Sequence, residues 1–199
     1  MSKVTADMSI SVDGFAAGPN QTLDKPFGDG LEDEQLHRWM FEQREQHLAE
    51  LEAITAAGAY IMGRNMFTPG RGEWDLDWKG WWGDDPPYHA PVFVLTHHPR
   101  EPVTMQGGTT YTFVTDGIES ALAQAREAAG DKDVSIAGGA ATLGQYLAAG
   151  LVDELRLHIA PVTIGAGERP LEAVGNFDLE LVGSRSTDLV THLTYRVVR

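Results

Sequence analysis

The stretch Val134-Ser135-Ile136-Ala137-Gly138-Gly139-Ala140-Ala141-Thr142-Leu143 passes from β-branched residues, through two glycines, into alanine and leucine. A short run of β-branched residues predicts a strand, and glycine marks the turn that ends it. The residues from Ala140 to Ala149 then favour a helix. We therefore predict a strand, a glycine turn and a helix, the unit from which parallel sheets are built.

The Gly138-Gly139 pair is also a candidate phosphate site. Glycine has no Cβ, so backbone N–H groups can approach a pyrophosphate at the N-terminus of the following helix, where the macrodipole favours an anion. A merely tight turn between a strand and a helix would use the same two residues. By itself the pair therefore leaves phosphate binding open.

Other segments of the chain predict elements of the same kind. Apolar runs bounded by turn signals predict strands, and longer runs of helix formers predict helices. The predicted strands are 4–12, 59–62, 92–96, 110–114, 134–137, 151–161, 179–184 and 190–198, and the predicted helices are 31–57, as one or two helices, 118–129 and 140–149. Strands separated by helices imply right-handed crossovers. We predict one α/β domain over residues 1–199, with a mainly parallel central sheet flanked by helices and antiparallel C-terminal strands.

Composition narrows the classes of function. The chain has 29 acidic and 15 basic residues, a formal charge of −14, so its field repels nucleic acid and anionic lipid. The absence of cysteine excludes disulfides, thiolate metal sites and a thiol nucleophile. No signal pattern and no apolar run of ~20 residues is present. We expect a soluble cytoplasmic protein with a small-molecule substrate and with neither nucleic acid nor membrane as partner.

Two further strand ends carry groups that suit a phosphate. Arg64 follows Gly63, and the segment Thr96-His97-His98-Pro99-Arg100 combines a hydroxyl, two imidazoles and a guanidinium. Ligands of parallel α/β sheets bind beyond the C-terminal ends of the strands. The adjacent histidines point apart on an extended chain and have no partner at a recognised ligand spacing, so we expect no metal site. No Gly-x-Ser-x-Gly elbow is present, which disfavours a serine hydrolase.

The order of six segments resembles the dihydrofolate-reductase-like superfamily. Within it, the chain is most similar to the C-terminal reductase domain of the riboflavin-biosynthesis deaminase/reductase, over almost its whole length. The segments are Ser11-Val12-Asp13-Gly14-Phe15-Ala16, Ile61-Met62-Gly63-Arg64-Asn65-Met66-Phe67, Val92-Phe93-Val94-Leu95-Thr96, Ile136-Ala137-Gly138-Gly139-Ala140, Leu151-Val152-Asp153-Glu154-Leu155 and Ala160-Pro161-Val162-Thr163-Ile164-Gly165-Ala166-Gly167.

This resemblance implies an NADPH site along the strand ends and hydride transfer to a carbon–nitrogen double bond or a carbonyl. Arg64 would lie near the cofactor phosphates, Thr96 to Arg100 near the adenosine ribose and its 2′-phosphate, and Gly138 to Leu143 along the pyrophosphate. The implied cofactor-binding residues are Ser9, Asp13, Gly14, Phe15, Ala16, Gly63, Arg64, Thr96, His97, His98, Arg100, Ala137, Gly138, Gly139, Ala140, Thr142 and Leu143. Ser9 and Asp13 to Ala16 would flank the nicotinamide. The resemblance also implies a homodimer.

Several departures from the family pattern concern the substrate. Ala137 stands where the riboflavin-pathway reductases commonly have a glutamate, and Met66 stands where a threonine is usual. Because the chain has no cysteine, we expect no counterpart of the N-terminal zinc deaminase. A folate-like substrate would need a carboxylate on the first helix, for which Asp33 and Glu34 are candidates, although acids at a helix start are also ordinary favourable charges.

Four tryptophans in the segment from Trp74 to Trp82 form an unusual cluster. Indoles can stack on a planar heterocycle and exclude water around a transferring hydride, or they can bury a subunit interface. Both interpretations stay open. The candidate substrate-pocket residues are His37, Trp39, Trp78 and Trp82. Beside an NADPH-dependent reductase acting on a pterin-like, ribosylaminopyrimidine-like, carbonyl or imine substrate, two alternatives remain: a nucleotide-binding protein without catalysis, and a flavin- or deazaflavin-binding reductase.

Overall fold

A computed structural model describes residues 2–32 and 34–198. Within these residues nine strands form one sheet in the order β4-β5-β3-β2-β6-β1-β7-β9-β8. The strands are β1 (Val4–Ser11), β2 (Ala59–Gly63), β3 (Pro91–Leu95), β4 (Val103–Thr104), β5 (Thr110–Val114), β6 (Val134–Gly138), β7 (Glu154–Ala160), β8 (Asp178–Ser186) and β9 (Thr191–Val198). The helices are α1 (Arg38–Glu42), α2 (Leu48–Thr55), α3 (Arg64–Phe67), α4 (Ile118–Ala129) and α5 (Ala140–Ala148), with 3₁₀ turns at Arg44–His47 and Gln106–Gly108.

The centre of the sheet is parallel and its margins are antiparallel. β1 pairs in parallel with β6 and β7, β2 pairs with β3 and β6, and β3 pairs with β5. The short β4 and the C-terminal β8 and β9 pair antiparallel with their neighbours. The fold class predicted from the sequence is confirmed.

Helices α4 and α5 cover one face of the sheet. In α4 the buried residues Ala121, Leu122, Ala125 and Ala129 lie on one stripe, as 3.6 residues per turn requires. They join the alternate residues Val4, Ala6, Met8 and Ile10 of β1 in the main hydrophobic core, together with Leu143, Tyr146 and Leu147 of α5. This core fixes where the strands end relative to the start of α5.

The other face has an apolar half and a polar half. Across β2, β3 and β5 it carries Tyr60, Met62, Val92, Val94 and Tyr111, which pack against aromatic residues of the segment 66–90. Across β1, β7 and β9 it carries polar side chains, which the segment from α1 to α2 covers. None of the helices in the described part of the chain is long and apolar enough to cross a membrane.

The prediction of a helix beginning at Leu31 is wrong over its first residues. Helix α1 begins only at Arg38, and a 3₁₀ turn at Arg44–His47 separates it from α2. Glu34 has a φ of 64°, a left-handed conformation that a helix cannot contain, and residues 34–37 form turns. The acidic residues thought to start the helix therefore precede it.

Candidate functional site

The C-terminal ends of β2, β3 and β6 lie side by side at one edge of the sheet. Gly63, the last residue of β2, pairs with Leu95 of β3, and Met62 pairs with Gly138 of β6. The three strand ends that the sequence marks as phosphate-compatible are therefore neighbours. They line one edge above the start of α5.

The two glycines between β6 and α5 have different surroundings. A side chain at Gly138 would be strained because the φ of this residue is 128°, and its Cβ would lie 3.1 Å from Met66 Sδ and 3.3 Å from Met8 Cε, so that both methionine ends would have to shift slightly. A Cβ on Gly139 would meet no atom within 4 Å. The peptide bond between them is cis. Gly139 therefore leaves open space at the N-terminus of α5, which carries no side-chain cap.

Gly63 allows α5 to lie close to the end of β2. A Cβ on Gly63 would overlap Thr142 Oγ1, and Thr142 is itself buried in the first turn of α5. Ala140 and Leu143 are buried in the same helix. Gly63, Thr142 and Leu143 therefore position the helix N-terminus, and backbone groups of Gly139 and Ala140 are the ones at the open edge.

Trp74 brings the basic groups after β2 and β3 together. The Arg64 guanidinium lies 4.0 Å from the Trp74 ring centroid, and that of Arg100 lies 5.3 Å from it. Trp74 Nε1 donates a hydrogen bond of 2.9 Å to the carbonyl of His98. Cation–π contacts of this kind hold a guanidinium over an indole. Two of the predicted phosphate-binding arginines thus share one aromatic surface.

Arg100 is also bound to the tryptophan segment. Its NH2 group donates to the carbonyls of Leu76 and Trp78, at 3.1 and 2.7 Å. Burial lowers the pKa of Arg100 from its usual value. His97 and His98 are exposed beside it, and Thr96 Oγ1 accepts the backbone N–H of His98 at 3.1 Å. Arg100 is therefore hydrogen-bonded to the tryptophan segment, whereas His97 and His98 face solvent.

Asp13 links the end of β1 to the loop after β7 by hydrogen bonds. Ser11 Oγ donates to Asp13 Oδ1 at 2.6 Å, and the backbone N–H groups of Gly165 and Ile164 donate to the same carboxylate at 2.7 and 3.1 Å. These bonds, that of Ser11 first, lower the pKa of Asp13. Asp13 is thus fully engaged in fixing the loop that contains Gly14.

The neighbours of Asp13 extend this arrangement. Phe15 is buried under the Arg169 guanidinium, 4.2 Å from its ring centroid, and Ala16 N donates to the carbonyl of Glu168. Ser9 is buried in β1. Ala137, at the position of the family glutamate, is half-buried against the aromatic core. A methyl group at this position offers no hydrogen bond to a ligand.

The four predicted substrate-pocket residues fall into two separate groups. Trp78 and Trp82 pack on the apolar half of the sheet, where Trp78 Nε1 donates to the carbonyl of Phe67 at 2.8 Å. Trp39 is fully buried over the polar half, and His37 contacts Phe27 with ring centroids 4.9 Å apart. Burial lowers the pKa of His37 to about 4. Because Trp78 and Trp82 pack on the apolar half of the sheet, the tryptophan segment adds to the hydrophobic core of its own chain.

Of the two candidate catalytic acids, the one that the structure describes, Glu34, has no supporting geometry. Glu34 lies exposed in the turn before α1. Asp33 lies outside the described residues. Exposure to solvent means that no enclosed site surrounds the Glu34 carboxylate, as a general acid beside a bound substrate would need.

Sequence analysis missed a buried polar cluster around Trp39. The Trp39 ring lies 5.3 Å from His47, 5.0 Å from His158 and 4.8 Å from His192, measured between centroids. All three histidines are buried, and burial lowers the pKa of His192 to about 4. The sequence contains one signal of this cluster: Asp7 is a charged residue within a run of strand-forming residues.

The fold has clear counterparts among solved structures. A protein from Shewanella sp. PV-4, named provisionally as a riboflavin biosynthesis protein, superposes with a TM-score of 0.64 at 21% identity, over 99% of each chain. The dihydrofolate reductase from Enterococcus faecalis complexed with NADP(H) superposes with a TM-score of 0.56 at 15% identity, over 98% of this chain and 96% of the other. The molecule therefore has the dihydrofolate-reductase-like fold.

Sequence comparison defines the family more narrowly. The family described as the RibD C-terminal domain matches residues 2–193, so this chain belongs to it. The uncharacterized protein YyaP of Bacillus subtilis (strain 168) is 24% identical over 196 residues, which cover 92% of this chain and 88% of YyaP. The family assignment agrees with the resemblance seen in the sequence.

Proposed function

We propose that this protein is an NADPH-dependent reductase that transfers a hydride to a small substrate, either a pterin-like or ribosylaminopyrimidine-like heterocycle or a carbonyl or imine. The observation that carries the proposal is the open space over Gly139, at the N-terminus of α5 and beside the ends of β2 and β3. A bound pyrophosphate would fill this space and accept hydrogen bonds from backbone N–H groups. Membership of the RibD C-terminal domain family supports the proposal.

Different residues would bind different parts of the cofactor. Gly139 and Ala140 would donate backbone N–H groups to the pyrophosphate, and Arg64 would add a cation beside it. Since Arg100 already donates to two loop carbonyls, we assign the 2′-phosphate to the exposed His97 and His98. The local positive charge compensates for the formal charge of −14 on the whole chain.

The nicotinamide would lie against the end of β1. Asp13 holds that end by three hydrogen-bond donors, so Gly14 to Ala16 form a fixed wall rather than a mobile loop. When bound there, NADPH supplies the hydride. The residues around it orient the ring and exclude water. A homodimer and a cytoplasmic location remain predictions of the sequence, and the absence of cysteine fits a reducing compartment.

The experiment compares NADPH, NADH and FMN binding in two glycine variants. Gly139→Val places a side chain in the proposed pyrophosphate site, and we expect the variant to fold because a Cβ there meets no atom within 4 Å and the φ of residue 139 is −78°. Gly183→Val is the matched control, because a Cβ on Gly183 in β8 also meets no atom within 4 Å. We expect the wild type to bind NADPH at least about tenfold more tightly than NADH, which is about 1.4 kcal/mol.

Gly139→Val should lose this binding, and Gly183→Val should keep it. Failure of the wild type to bind any nicotinamide cofactor would refute the proposal, and preferential FMN binding would favour a flavin-binding reductase. Oxidation of bound NADPH by dihydrofolate or by the ribosylaminopyrimidine phosphate then separates a reductase from a non-catalytic nucleotide-binding protein.

A further inference from the structure

The strongest group of chemistry-bearing residues outside the proposed cofactor groove is the cluster under Trp39. We define the histidine cluster as His47, Glu50, His158 and His192. His47 ends a 3₁₀ turn and Glu50 lies one turn later in α2, whereas His158 and His192 face each other across β7 and β9. Parts of the chain more than a hundred residues apart thus converge on one buried point.

The ring nitrogens in the cluster lie unusually close together. His192 Nε2 is 2.9 Å from His47 Nδ1, and His192 Nδ1 is 2.7 Å from His158 Nδ1. One nitrogen of each such pair must carry a proton, or a cation must lie between the two lone pairs. His192 therefore has a histidine nitrogen within hydrogen-bond distance of each of its own two nitrogens. In each pair, the tautomers of the two rings decide which nitrogen donates.

The surface residue Arg185 brings a cation to the same group of atoms. Its NH2 group lies 2.8 Å from His47 Nδ1, 2.8 Å from a Glu50 oxygen and 3.0 Å from the Gln46 carbonyl. An NH2 group has two hydrogens for these three acceptors. His47 Nδ1 has a single lone pair, so it cannot accept from both the Arg185 NH2 group and His192 Nε2. His47 Nδ1 and the Glu50 carboxylate thus both lie against the Arg185 cation, with His192 Nε2 beside them.

We propose that His47, His192 and Glu50 bind a divalent first-row transition-metal ion, through His47 Nδ1, His192 Nε2 and a carboxylate oxygen. Ligand atoms of these three residues lie within 4.8 Å of one another. Two nitrogens at ~2.1 Å from a metal and at right angles to each other are about 3.0 Å apart, close to the 2.9 Å found. Two imidazoles and a carboxylate suit Fe²⁺, Co²⁺, Ni²⁺ or Zn²⁺.

Metal binding at His192 Nε2 fixes where the protons of His192 and His158 lie. With His192 Nε2 on the metal, its Nδ1–H donates to His158 Nδ1. His158 Nε2–H then faces Asp7 Oδ1 at 3.4 Å, and Asp7 lies 3.1 Å from the Arg156 guanidinium. This extends by one histidine the carboxylate–histidine–metal arrangement by which second-shell residues fix a ligand's tautomer. Asp7 and His158 are positioning residues in this scheme.

Arg185 is the cation that the metal would replace. It lies on the edge strand β8 with 42% of its side chain exposed, so it can move into solvent without unfolding the sheet. A cavity of about 280 Å³, lined by Glu50, Arg185 and His192 among others, opens beside the cluster and gives an ion a route in. Metal and guanidinium should therefore compete.

The test is metal binding by untagged protein freed of metal with EDTA. We expect one equivalent of Co²⁺, Ni²⁺ or Zn²⁺ to bind, with a rise in melting temperature, quenching of Trp39 fluorescence by Co²⁺ or Ni²⁺, and a visible Co²⁺ spectrum. Glu50→Gln and His192→Ala should each weaken binding at least about tenfold, and Arg185→Met should strengthen it by about tenfold or more because it removes the competing cation.

The matched control is His89→Asn. His89 is an exposed histidine 3.6 Å from the Asp85 carboxylate, so it tests whether a surface histidine–carboxylate pair accounts for the metal. Binding should be unchanged in this variant. The proposal is overturned if the wild type binds none of the three ions, or if Glu50→Gln, whose fold is checked by circular dichroism, binds as tightly as the wild type. Neither outcome depends on the proposed reductase activity.

Discussion

Replacing Gly63 by alanine tests how the proposed cofactor edge is built. Gly63 has a φ of −81° and a ψ of 157°, an extended conformation that alanine adopts without strain. Through the unfolded state alone the substitution would stabilise the protein by about 0.4–1 kcal/mol. The added Cβ, however, overlaps Thr142 Oγ1 in the first turn of α5. Overpacking of this kind costs about 1–3 kcal/mol, so we expect net destabilisation of about 1–2 kcal/mol.

The same contact predicts a specific rescue. Thr142→Ala removes Oγ1, after which the nearest atom to the new Cβ of residue 63 is the Cβ of residue 142, at 3.5 Å, an ordinary van der Waals contact. Alone, Thr142→Ala should destabilise by about 1 kcal/mol, because it removes a buried methyl and hydroxyl. In the Gly63→Ala background, Thr142→Ala should leave the free energy of unfolding unchanged or raise it. The coupling energy should therefore be about 1–2 kcal/mol in favour of the double variant.

Urea unfolding of the four proteins measures this cycle, with tryptophan fluorescence and far-ultraviolet circular dichroism as independent probes. The m-values should agree, since the surface exposed on unfolding hardly changes. Additive effects, or a neutral Gly63→Ala, would refute the inferred contact between β2 and α5. NADPH affinity in the destabilised single variant should also fall, because relief of the overlap displaces the helix N-terminus.

Two further predictions concern the residues around the tryptophans. Burial lowers the pKa of His37 to about 4, so its contribution to stability is complete above pH 6.5 and is lost as the pH falls toward 4. Between pH 7 and 5 the wild type should lose on the order of 1 kcal/mol more than His37→Gln in urea titrations, and equal losses would contradict this assignment. Arg100→Met removes the donor to the Leu76 and Trp78 carbonyls and should destabilise by about 1–3 kcal/mol. Acrylamide should then quench tryptophan fluorescence more strongly, whereas the exposed Lys79→Met should change neither property.

Local signals predicted most of the fold. In the sequence around β6 and α5, Gly138-Gly139 marks where the strand ends and the helix begins. In β7, Leu155 and Leu157 alternate with Arg156 and His158, a pattern that predicts a strand with two different faces. The fold class follows from the order of such units. The positions of the strand ends at one edge follow in turn, because parallel strands end on the same side.

Long-range pairing limited the prediction of the sites. Nothing near Arg100 in sequence indicates that its guanidinium binds carbonyls of the tryptophan segment rather than facing solvent. The start of α1 was misplaced because an acidic stretch is compatible both with a helix terminus and with the turn at Glu34. The partners of Trp39 come from the covering segment and two strands, and only the folded chain brings them together.

The register of the sheet connects the two proposed sites. Asp7, Ser9 and Ser11 alternate along β1 and therefore share its polar face. Ser9 pairs with His158, which pairs in turn with His192, so a shift of one residue in β9 would replace that histidine by Leu193 and dissolve the cluster. Ser11, at the other end of the row, holds Asp13 and with it the loop at the cofactor edge. A single strand thus carries a polar row from Asp7, which contacts His158 beside the proposed metal site, to Ser11 at the proposed cofactor groove.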